Sequence, residues 1–585
     1  MRHLFTILIV FSAVMFLSCS EEIADNPLGN QTPKTFLWLF PDSTVGVGVS
    51  RQRLQWWGED PDGVVVGYLF SYGVFPNTVT SIPSPDTLRY SWVTKNDTLM
   101  LFPLDTLFRN YTVFVRAVDN GFTSIPAQSI VRFTPSPYWD KNDNGVFDGT
   151  DELLPALSGA VDPVGVVQTF PVRNTPPTIT FARNPNDETL EMRQPDTTYT
   201  VATFAWNGQD NDGQNTLASF RIALNDTSNA ANWLTIPIRD TVVTLVVPRS
   251  RSDAAGAEVA ADVYGGRFLG RQLLGTVSGL RLDAPNVLYV QVRDVAGEYS
   301  EAITQPSGSG VWFVKKPRGG VLLVSDYINS DAVTARNTYV SAIAAAGVNF
   351  QAVDQLDIGL GLTAADKRAG KYGLLVPPFV DPAMIQTFLL YDYVVWYTDQ
   401  YPTLGAAQLS LFAYLQNGGK VIFSTTFENS VDPRGALRDF APIDSISSVD
   451  LSTGRPPTPP PVAGDTRIPA NFSVLADSSI PGSEYPQLAF NSAPPNHLIF
   501  MRPIYRRSDA RYLYHLQADT RNRYLGMPNV AVVDGEQSII FVGLPLHLLN
   551  NTDPAFGNPN GLAAFFIRAL NQEFRSDRAI DRRRF

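Results

Sequence analysis

The sequence predicts a multidomain protein in which two antiparallel β-sandwiches precede a doubly wound α/β domain. The chain has 585 residues, several times the usual length of one domain. Its amino-terminal half alternates short apolar runs with Pro, Gly, Asn and Asp clusters, a pattern typical of sandwich strands and turns. Its carboxyl-terminal half alternates buried strands with helical segments, which favours a parallel sheet covered by helices.

Composition narrows the possible functions. Hydrophobic residues make up 44% of the chain and charged residues 17%, so the body is globular rather than disordered. The 45 basic and 56 acidic side chains give a net charge of −11, and this acidic balance predicts no nucleic-acid partner. With 1 cysteine, the chain can form no intrachain disulfide and no multi-cysteine zinc site.

The amino terminus has the features of a targeting segment. An apolar run, 4–17, is too short to span a bilayer, and we predict a signal peptide over 1–18. The run ends in Phe-Leu-Ser-Cys at 16–19, which resembles the lipobox of bacterial lipoproteins. The resemblance implies that Cys19 is lipidated, that 19–33 is a tether, and that the protein is anchored in the bacterial cell envelope, at the outer membrane. The alternative is an ordinary secretory signal that happens to contain a cysteine.

An internal repeat supports the two sandwiches. The segment Trp57–Gly63 recurs, one residue longer, as Trp206–Gly213. Downstream, Val113–Asp119 is matched by Val290–Asp294. We interpret both tryptophans as core residues and the Asp-containing turns as side chains that cap their own backbone. Calcium in these turns is the alternative.

The paired segments resemble bacterial fibronectin type III-like domains. The resemblance implies two antiparallel sandwiches, over 34–135 and 174–316, each with a strand tryptophan in its core. Modules of this kind are usually spacers or binding surfaces, and a fold alone assigns no function.

The most specific motif lies between the predicted sandwiches, in 140–151. Oxygen atoms recur there at the spacing that a hard cation requires, and a glycine at the sixth position permits the sharp turn. The predicted ligands are Asp140, Asn142, Asn144, the carbonyl of Val146, Asp148 and Asp151. The segment resembles an EF-hand-like loop of the dockerin kind, which implies structural calcium in a linker over 136–173. A polar turn without metal is the alternative.

The second half of the chain predicts alternating strands and helices. Continuous apolar segments predict the strands, and segments of helical periodicity predict the helices. The predicted strands are 321–324, 393–397, 421–423 and 538–543, and the predicted helices are 331–346, 404–417 and 561–573. This alternation predicts a doubly wound α/β domain over 317–585.

The order of these elements resembles the flavodoxin-like fold of class I glutamine amidotransferases, most clearly at Tyr391–Trp396 and Gly418–Phe423. The chemistry of that family does not carry over. Its nucleophilic cysteine would lie in the turn 424–427, which has hydroxyls but no thiol. His547 also lacks the carboxylate of the family's His-x-Glu pair. We therefore predict no catalytic residue.

Two further sets of side chains are candidates in this domain. One alternative pairs Ser424 as nucleophile with His547 as base, although no Gly-x-Ser-x-Gly elbow surrounds the serine. Asp326, Asp399 and Glu428 lie near the predicted carboxyl ends of strands, where α/β proteins bind ligands. Carboxylates at such places more often cap turns than act as catalytic acids.

Together these patterns predict an envelope lipoprotein with a binding or scaffolding role and a catalytically degenerate α/β domain. The expected partners are the membrane, through the lipid anchor, and a protein or glycan ligand that the sequence does not identify. Two alternatives stay open, namely a hydrolase acting on an envelope polymer or peptide and a purely structural spacer.

Overall fold

The computed structural model divides the chain into two compact units. Unit 1 comprises 1–177, 209–217 and 293–299, and unit 2 comprises 178–208, 218–292 and 300–585. The described residues are 29–39, 51–75, 84–103, 109–122, 125–185, 187–266, 272–451, 473–477, 485–491, 500–518, 524 and 526–574. The predicted signal peptide and Cys19 lie outside them.

Unit 1 contains a β-sandwich. Its strands are β1 (Lys34–Leu39), β2 (Arg51–Glu59), β3 (Val65–Phe75), β4 (Tyr90–Val93), β5 (Asp97–Leu101), β6 (Arg109–Asp119), β7 (Ile130–Arg132), β8 (Tyr138–Trp139), β9 (Glu152–Leu153) and β10 (Val166–Val172), with one short helix, α1 (Leu157–Ala160). A three-stranded sheet, order β1-β2-β5, packs against a seven-stranded sheet, order β10-β6-β3-β4-β7-β8-β9.

The core between these sheets corrects one prediction. Trp56 on β2 is 2% exposed and stacks on Phe70 of β3, whereas Trp57 is 41% exposed and stacks on Phe36. Successive side chains of a strand point to opposite faces, so only one of two adjacent tryptophans can enter the core. The prediction that Trp57 is the core residue is therefore wrong.

The repeat aligns without an insertion when the buried tryptophan is used. Trp56 precedes Asp60 by the same number of residues as Trp206 precedes Asp210. Trp206 is fully buried and packs edge-on against Phe220. Trp56 and Trp206 are thus the equivalent core residues of the two copies.

The segment 136–173, predicted as a linker, supplies strands to the seven-stranded sheet. β8 and β9 flank the loop 140–151, so this loop connects an antiparallel hairpin at the sheet edge. β10 pairs with β6 from Val166 opposite Val115 to Val172 opposite Arg109. Strands on both sides therefore hold the loop in place.

Most of a second sandwich lies in the first part of unit 2, and the ends of three of its strands, at 209, 217 and 293–294, belong to unit 1. The strands are β11 (Thr178–Phe181), β12 (Arg183–Asn184), β13 (Asp187–Glu191), β14 (Thr197–Thr198), β15 (Val201–Gln209), β16 (Leu217–Leu224), β17 (Leu234–Pro237), β18 (Val242–Val246), β19 (Glu258–Gly265), β20 (Gln272–Arg281), β21 (Ala284–Pro285), β22 (Leu288–Asp294), β23 (Ile303–Gln305) and β24 (Phe313–Val314), with helix α2 (Arg249–Ala254). A five-stranded sheet, order β11-β15-β18-β19-β20, lies opposite a four-stranded sheet, order β17-β16-β22-β23.

The rest of unit 2 contains one large sheet and a separate two-stranded sheet. Its strands and helices are β25 (Val321–Asp326), α3 (Ala332–Ala344), β26 (Val353–Asp357), α4 (Ala364–Arg368), α5 (Ile385–Phe388), β27 (Tyr393–Thr398), α6 (Leu404–Gln416), β28 (Lys420–Ser424), β29 (Ile443–Ile446), β30 (Ser473–Ala476), β31 (Leu488–Ala489), β32 (Ile504–Arg506), β33 (Arg511–Leu516), β34 (Asn529–Val533), β35 (Ile539–Val542) and α7 (Gly561–Arg568). The nine-stranded sheet has the order β26-β25-β27-β28-β35-β34-β33-β30-β31. Its first five strands are parallel and the remaining four are antiparallel.

Helices cover both faces of this sheet. Val321 and Leu323 of β25 pack on the side of α3 and α7, whereas Leu322 and Val324 pack on the side of α5 and α6. Burial on both faces explains why the sequence of β25 is apolar without alternation.

The sandwich of unit 2 covers the edge strand β26. The hydroxyl of Tyr199 donates to the carbonyl of Gln355 and accepts from its N–H, both at 2.9 Å. The Tyr199 ring also packs edge-on against Tyr391. These contacts occupy backbone groups that an open edge strand would offer to another chain.

Candidate functional site

The carboxyl ends of β25 and β27 carry a closed ionic cluster. Lys367 of α4 places its Nζ 3.0 Å from Asp326 Oδ1 and 2.9 Å from Asp399 Oδ1, and all of these side chains are fully buried. The same Nζ donates to the main-chain carbonyl of Asp326 at 2.5 Å. The ammonium therefore finds its acceptors inside the fold.

Both carboxylates of this cluster accept further hydrogen bonds. Asp326 accepts from the N–H and the hydroxyl of Thr403, at 2.6 and 2.8 Å, and Asp399 accepts from the N–H of Tyr401 at 2.8 Å. Burial raises the pKa of Asp326 to about 6, against the opposing effect of the Lys367 charge. In α/β proteins, ligands bind at the carboxyl ends of the parallel strands. Here the ion pairs of Lys367 occupy that place at the ends of β25 and β27.

Glu428, the third predicted carboxylate, has different neighbours. Its Oε1 lies 3.5 Å from a guanidinium nitrogen of Arg368. Its carbonyl accepts from Arg502 at 2.8 Å. Glu428 is thus held by arginines at the rim of the sheet end.

Ser424 ends β28 and is fully buried. Its hydroxyl donates to the carbonyl of Leu544 at 2.8 Å and accepts from the N–H of Leu546 at 3.1 Å. The hydroxyl of Tyr339 lies 3.1 Å from Ser424 Oγ. The donor and both acceptor positions of the serine are thus in use within the fold.

His547 packs among tyrosines close to Ser424. Its ring centroid is 5.0 Å from that of Tyr327, 5.7 Å from that of Tyr339 and 6.4 Å from that of Tyr397. Its Nε2 is 3.7 Å from Asp331 Oδ2, and neither ring nitrogen has a hydrogen-bond partner in the described part of the chain. Burial lowers the pKa of His547, and Asp331 opposes that shift.

Tyr339 joins the two candidates, because it contacts the Ser424 hydroxyl and packs on the His547 ring. The structure therefore brings Ser424 and His547 into one buried region, with Tyr339 in contact with both, and the partly exposed Asp331 lies beside the imidazole. Sequence reasoning missed Asp331 and Tyr339. Asp331 directly precedes α3 and Tyr339 lies within it, and no sequence pattern distinguishes either from an ordinary helix residue.

The loop 140–151 turns around Asp140. Asp140 Oδ1 accepts from the N–H of Asn144 at 3.1 Å, and its Oδ2 accepts from the N–H of Gly145 at 3.0 Å. Arg132 Nε lies 2.6 Å from the same Oδ2. Gly145 has a φ of +80°, a conformation that other residues adopt at a cost.

The other predicted ligands lie around Asp148 or on the loop surface. Asp148 Oδ2 accepts from the side-chain amides of Asn142 and Asn144, at 3.0 and 2.8 Å. Hydrogen bonds from Thr150, and then from these amides, lower the pKa of Asp148.

The remaining positions are Asp151 and Val146. Asp151 accepts from the N–H of Lys141 at 3.0 Å and from that of Asp148 at 2.9 Å, and the Val146 side chain is exposed. In the described ranges, no group of at least three His, Cys, Asp or Glu side chains is arranged to hold a metal ion.

Unit 1 also contains a repeated contact, which we call the asparagine clamp. Asn30 Nδ2 donates to Asp119 Oδ2 at 2.9 Å, and Asn174 Nδ2 donates to Asp294 Oδ2 at 2.7 Å. Asn30 precedes β1 and Asn174 precedes β11, so each clamp fastens the segment leading into a sandwich. Sequence reasoning missed both clamps.

The residue after each asparagine repeats the pattern. The N–H of Gln31 donates to Asp62 Oδ2 at 3.1 Å, and the N–H of Thr175 donates to Asp212 Oδ2 at 2.9 Å. Asp212 in turn donates its N–H to Asp210 Oδ1 at 2.9 Å, the local capping that we predict for these turns.

Comparisons with known proteins do not assign a family. No protein-family profile matches the chain, and no curated protein matches it. The chain is similar to a solved structure described as "Structures of Clostridium thermocellum CbhA fibronectin(III)-like modules", at 10% identity over 48% of this chain and 94% of that chain, with a TM-score of 0.13. Among the described residues, no helix is long and apolar enough to cross a membrane.

Proposed function

We propose that this protein is a lipid-anchored protein of the bacterial envelope with a binding or scaffolding role, and that its α/β domain is not catalytic. The observation that carries the non-catalytic assignment is the buried and fully hydrogen-bonded hydroxyl of Ser424. Its hydroxyl is fully buried and bonded to Tyr339, Leu544 and Leu546. A nucleophile must instead meet a substrate and pass its proton to a base within hydrogen-bond reach.

The sheet order supports a flavodoxin-like assignment for this domain. Numbered within the domain, the parallel strands run 2-1-3-4-5, which is the doubly wound order, and helices lie on both faces. The resemblance to class I glutamine amidotransferases rests on Tyr391–Trp396 and Gly418–Phe423. These segments contain most of β27 and β28, and the buried Ser424 is the last residue of β28.

The sandwiches support an assignment to fibronectin type III-like modules. Each has a buried tryptophan, Trp56 or Trp206, on a strand of the core. Modules of this kind serve as spacers or binding surfaces, and we assign them that role here. Cys19, as a lipidated residue, would supply the attachment to the membrane.

We also assign the loop 140–151 to a structural calcium site. The turn at Gly145 and the convergence of Asn142, Asn144 and Asp148 support this assignment. A bound calcium ion would take amide oxygens in place of the amide N–H groups that now face Asp148. Its expected effect is to stiffen the hairpin formed by β8 and β9.

A hydrolase is the second candidate, and one observation favours it. His547 lies beside Asp331, with 3.7 Å between Nε2 and Oδ2, so a carboxylate is available to orient the imidazole. This function would require Ser424 to leave its internal partners and to meet His547.

Labelling with a fluorophosphonate, which modifies activated serine hydroxyls, separates the two candidates. We expect no adduct on Ser424 when the purified full chain is treated and its peptides are mapped by mass spectrometry. An adduct at Ser424 that His547→Gln abolishes and His515→Gln preserves would establish the hydrolase instead. Ammonia release from glutamine that Ser424→Ala abolishes would equally contradict the non-catalytic assignment.

A further inference from the structure

Unit 2 contains a cavity of about 690 Å³ beside the edge strand β26. Residues of the sandwich line one side of it, and β26 with the segment 370–387 lines the other. This volume falls within the roughly 300–1,000 Å³ of small-molecule sites. None of the catalytic or metal candidates discussed above lines this cavity.

Apolar side chains form part of the cavity wall. Tyr199 and Met384 are buried, whereas Leu190, Leu360 and Leu374 are 55%, 45% and 63% exposed. The N–H of Leu374 donates to the carbonyl of Leu360 at 3.0 Å, so these two leucines are fixed side by side. A ligand that covered the exposed leucines would gain the free energy of removing apolar surface from water.

Three basic residues also line the cavity. Arg193, Lys315 and Lys371 line the cavity, and Asp196 is the only acidic residue among the described lining residues. Lys371 is paired with Asp366 at 2.8 Å. Arg193 and Lys315 have no ion-pair partner in the described part of the chain. In a protein of net charge −11, this local surplus favours an anionic ligand.

One buried acceptor in the wall also lacks a donor. Gln194 is buried and its Nε2 donates to the carbonyl of Thr203, but its Oε1 has no hydrogen-bond partner among the described residues. An unsatisfied buried acceptor costs free energy unless a ligand or a water donates to it. Because this oxygen is closed off from solvent, its unmet hydrogen bond is a cost to folding and plays no part in ligand binding.

The cavity is preformed by the contacts around Tyr199. This residue lines the cavity and is tied to both backbone groups of Gln355 at 2.9 Å. Because the wall is already ordered, binding would require little loss of conformational entropy from the protein.

We infer that this cavity binds a small amphipathic anion. The apolar body of the ligand lies against Leu190, Leu360 and Leu374, and its carboxylate or sulfonate lies near Arg193 and Lys315. This inference rests on the cavity alone and depends neither on the lipid anchor nor on the absence of catalysis.

The probe for the test is anilinonaphthalene sulfonate, which combines apolar rings, an N–H donor and an anionic group. Titration of the purified full chain, followed by fluorescence, should show one saturable site. Leu374→Asp should weaken this binding by more than about tenfold, since it places a negative charge on the apolar wall. Leu409→Asp is the matched control, because Leu409 is also half-exposed but lies on α6, outside the cavity.

The charge contribution has its own variants. The double variant Arg193→Gln with Lys315→Gln should weaken binding by about tenfold. Arg434→Gln, at an exposed arginine outside the cavity, should leave it unchanged. Far-ultraviolet circular dichroism and the thermal midpoint establish that each variant is folded.

Competition identifies the ligand class. Dodecanoate should displace the probe, whereas dodecyltrimethylammonium, which has the same chain and the opposite charge, should not. The inference is overturned if no saturable site exists, if Leu374→Asp binds as tightly as Leu409→Asp, or if both amphiphiles displace the probe equally.

Discussion

Lys367 Nζ lies 2.9 Å from Asp399 Oδ1, and both side chains are fully excluded from solvent. Asp326, at 3.0 Å, completes the cluster with a second buried carboxylate. Buried charges are tolerated only when they are paired and hydrogen-bonded, so the fold depends on these residues being present together.

The first prediction concerns the cation of this cluster. Lys367→Met should lower the free energy of unfolding by about 3–5 kcal/mol, because it leaves two buried carboxylates without a counter-ion. Urea unfolding followed by tryptophan fluorescence measures the change. Lys371→Met, at an exposed lysine, should have a much smaller effect. Equal losses in the two variants would show that the buried cluster contributes no more than a surface pair.

The second prediction is a pH dependence. The pKa of Asp326 is about 6 in the folded protein, above its usual value of 3.8, so the folded state binds the extra proton between these values. Asp326 therefore contributes stability that is fully present below pH 4 and is lost as the pH rises through 6. Urea unfolding at pH 4.5 and pH 7 should show this trend in the difference between the parent and Asp326→Asn, on the order of 2 kcal/mol.

His547 contributes a pH dependence of the opposite sign, because burial lowers its pKa in the folded protein. Its contribution to the stability therefore falls as the pH falls, whereas that of Asp326 rises. The difference between parent and variant removes the His547 contribution, which both proteins share. A difference that does not change with pH would contradict the assigned state of Asp326.

The third prediction concerns calcium. Millimolar calcium should raise the thermal midpoint of the parent, because a ligand that binds only the folded state stabilises it. Asp148→Asn should reduce the shift, whereas Asp97→Asn, on β5 away from the loop, should keep it. Asp140 is unsuitable for this test, since its buried carboxylate is paired with Arg132 and its loss would destabilise the loop directly. An unchanged shift in Asp148→Asn would place the ions elsewhere.

The fourth prediction concerns membrane attachment. Cys19→Ser should move the protein from the membrane fraction to the soluble fraction of cells, because the proposed acyl chains could no longer be attached. Immunoblots of the two fractions measure the distribution. Ser18→Ala is a neighbouring control that keeps the cysteine. A Cys19→Ser protein that stays with the membrane would contradict the lipid anchor.

Some elements of unit 2 could be predicted because their residues carry local signals. β25 was identifiable from its run of buried aliphatic residues, and α6 from its helical pattern followed by Gly418 and Gly419. The ionic cluster could not be predicted in the same way. Lys367 lies on a five-residue helix, 41 residues from Asp326 and 32 from Asp399, so only the tertiary fold brings them together.

The Trp57 error shows the limit of pattern matching in strands. Trp56 and Trp57 are adjacent, and an alignment shifted by one residue exchanges the two faces of β2. The turns at Asp60 and Asp210 are equivalent when Trp56 is aligned with Trp206. Only the burial of these two tryptophans shows that this alignment of the two copies is the correct one. The sequence identifies Ser424 and His547 as a candidate pair. Tyr339, which contacts both, could not be identified, because it resembles an ordinary core residue of a helix.

The first asparagine clamp determines where mechanical load would enter unit 1. A pull transmitted through the amino-terminal segment would reach the bond between Asn30 and Asp119 before it reached β1. Asp119 is the last residue of β6, a strand at the centre of the core, so the tension would be shared with the sheet interior. Strand β1 would thus be shielded from being peeled off β2, one residue pair at a time.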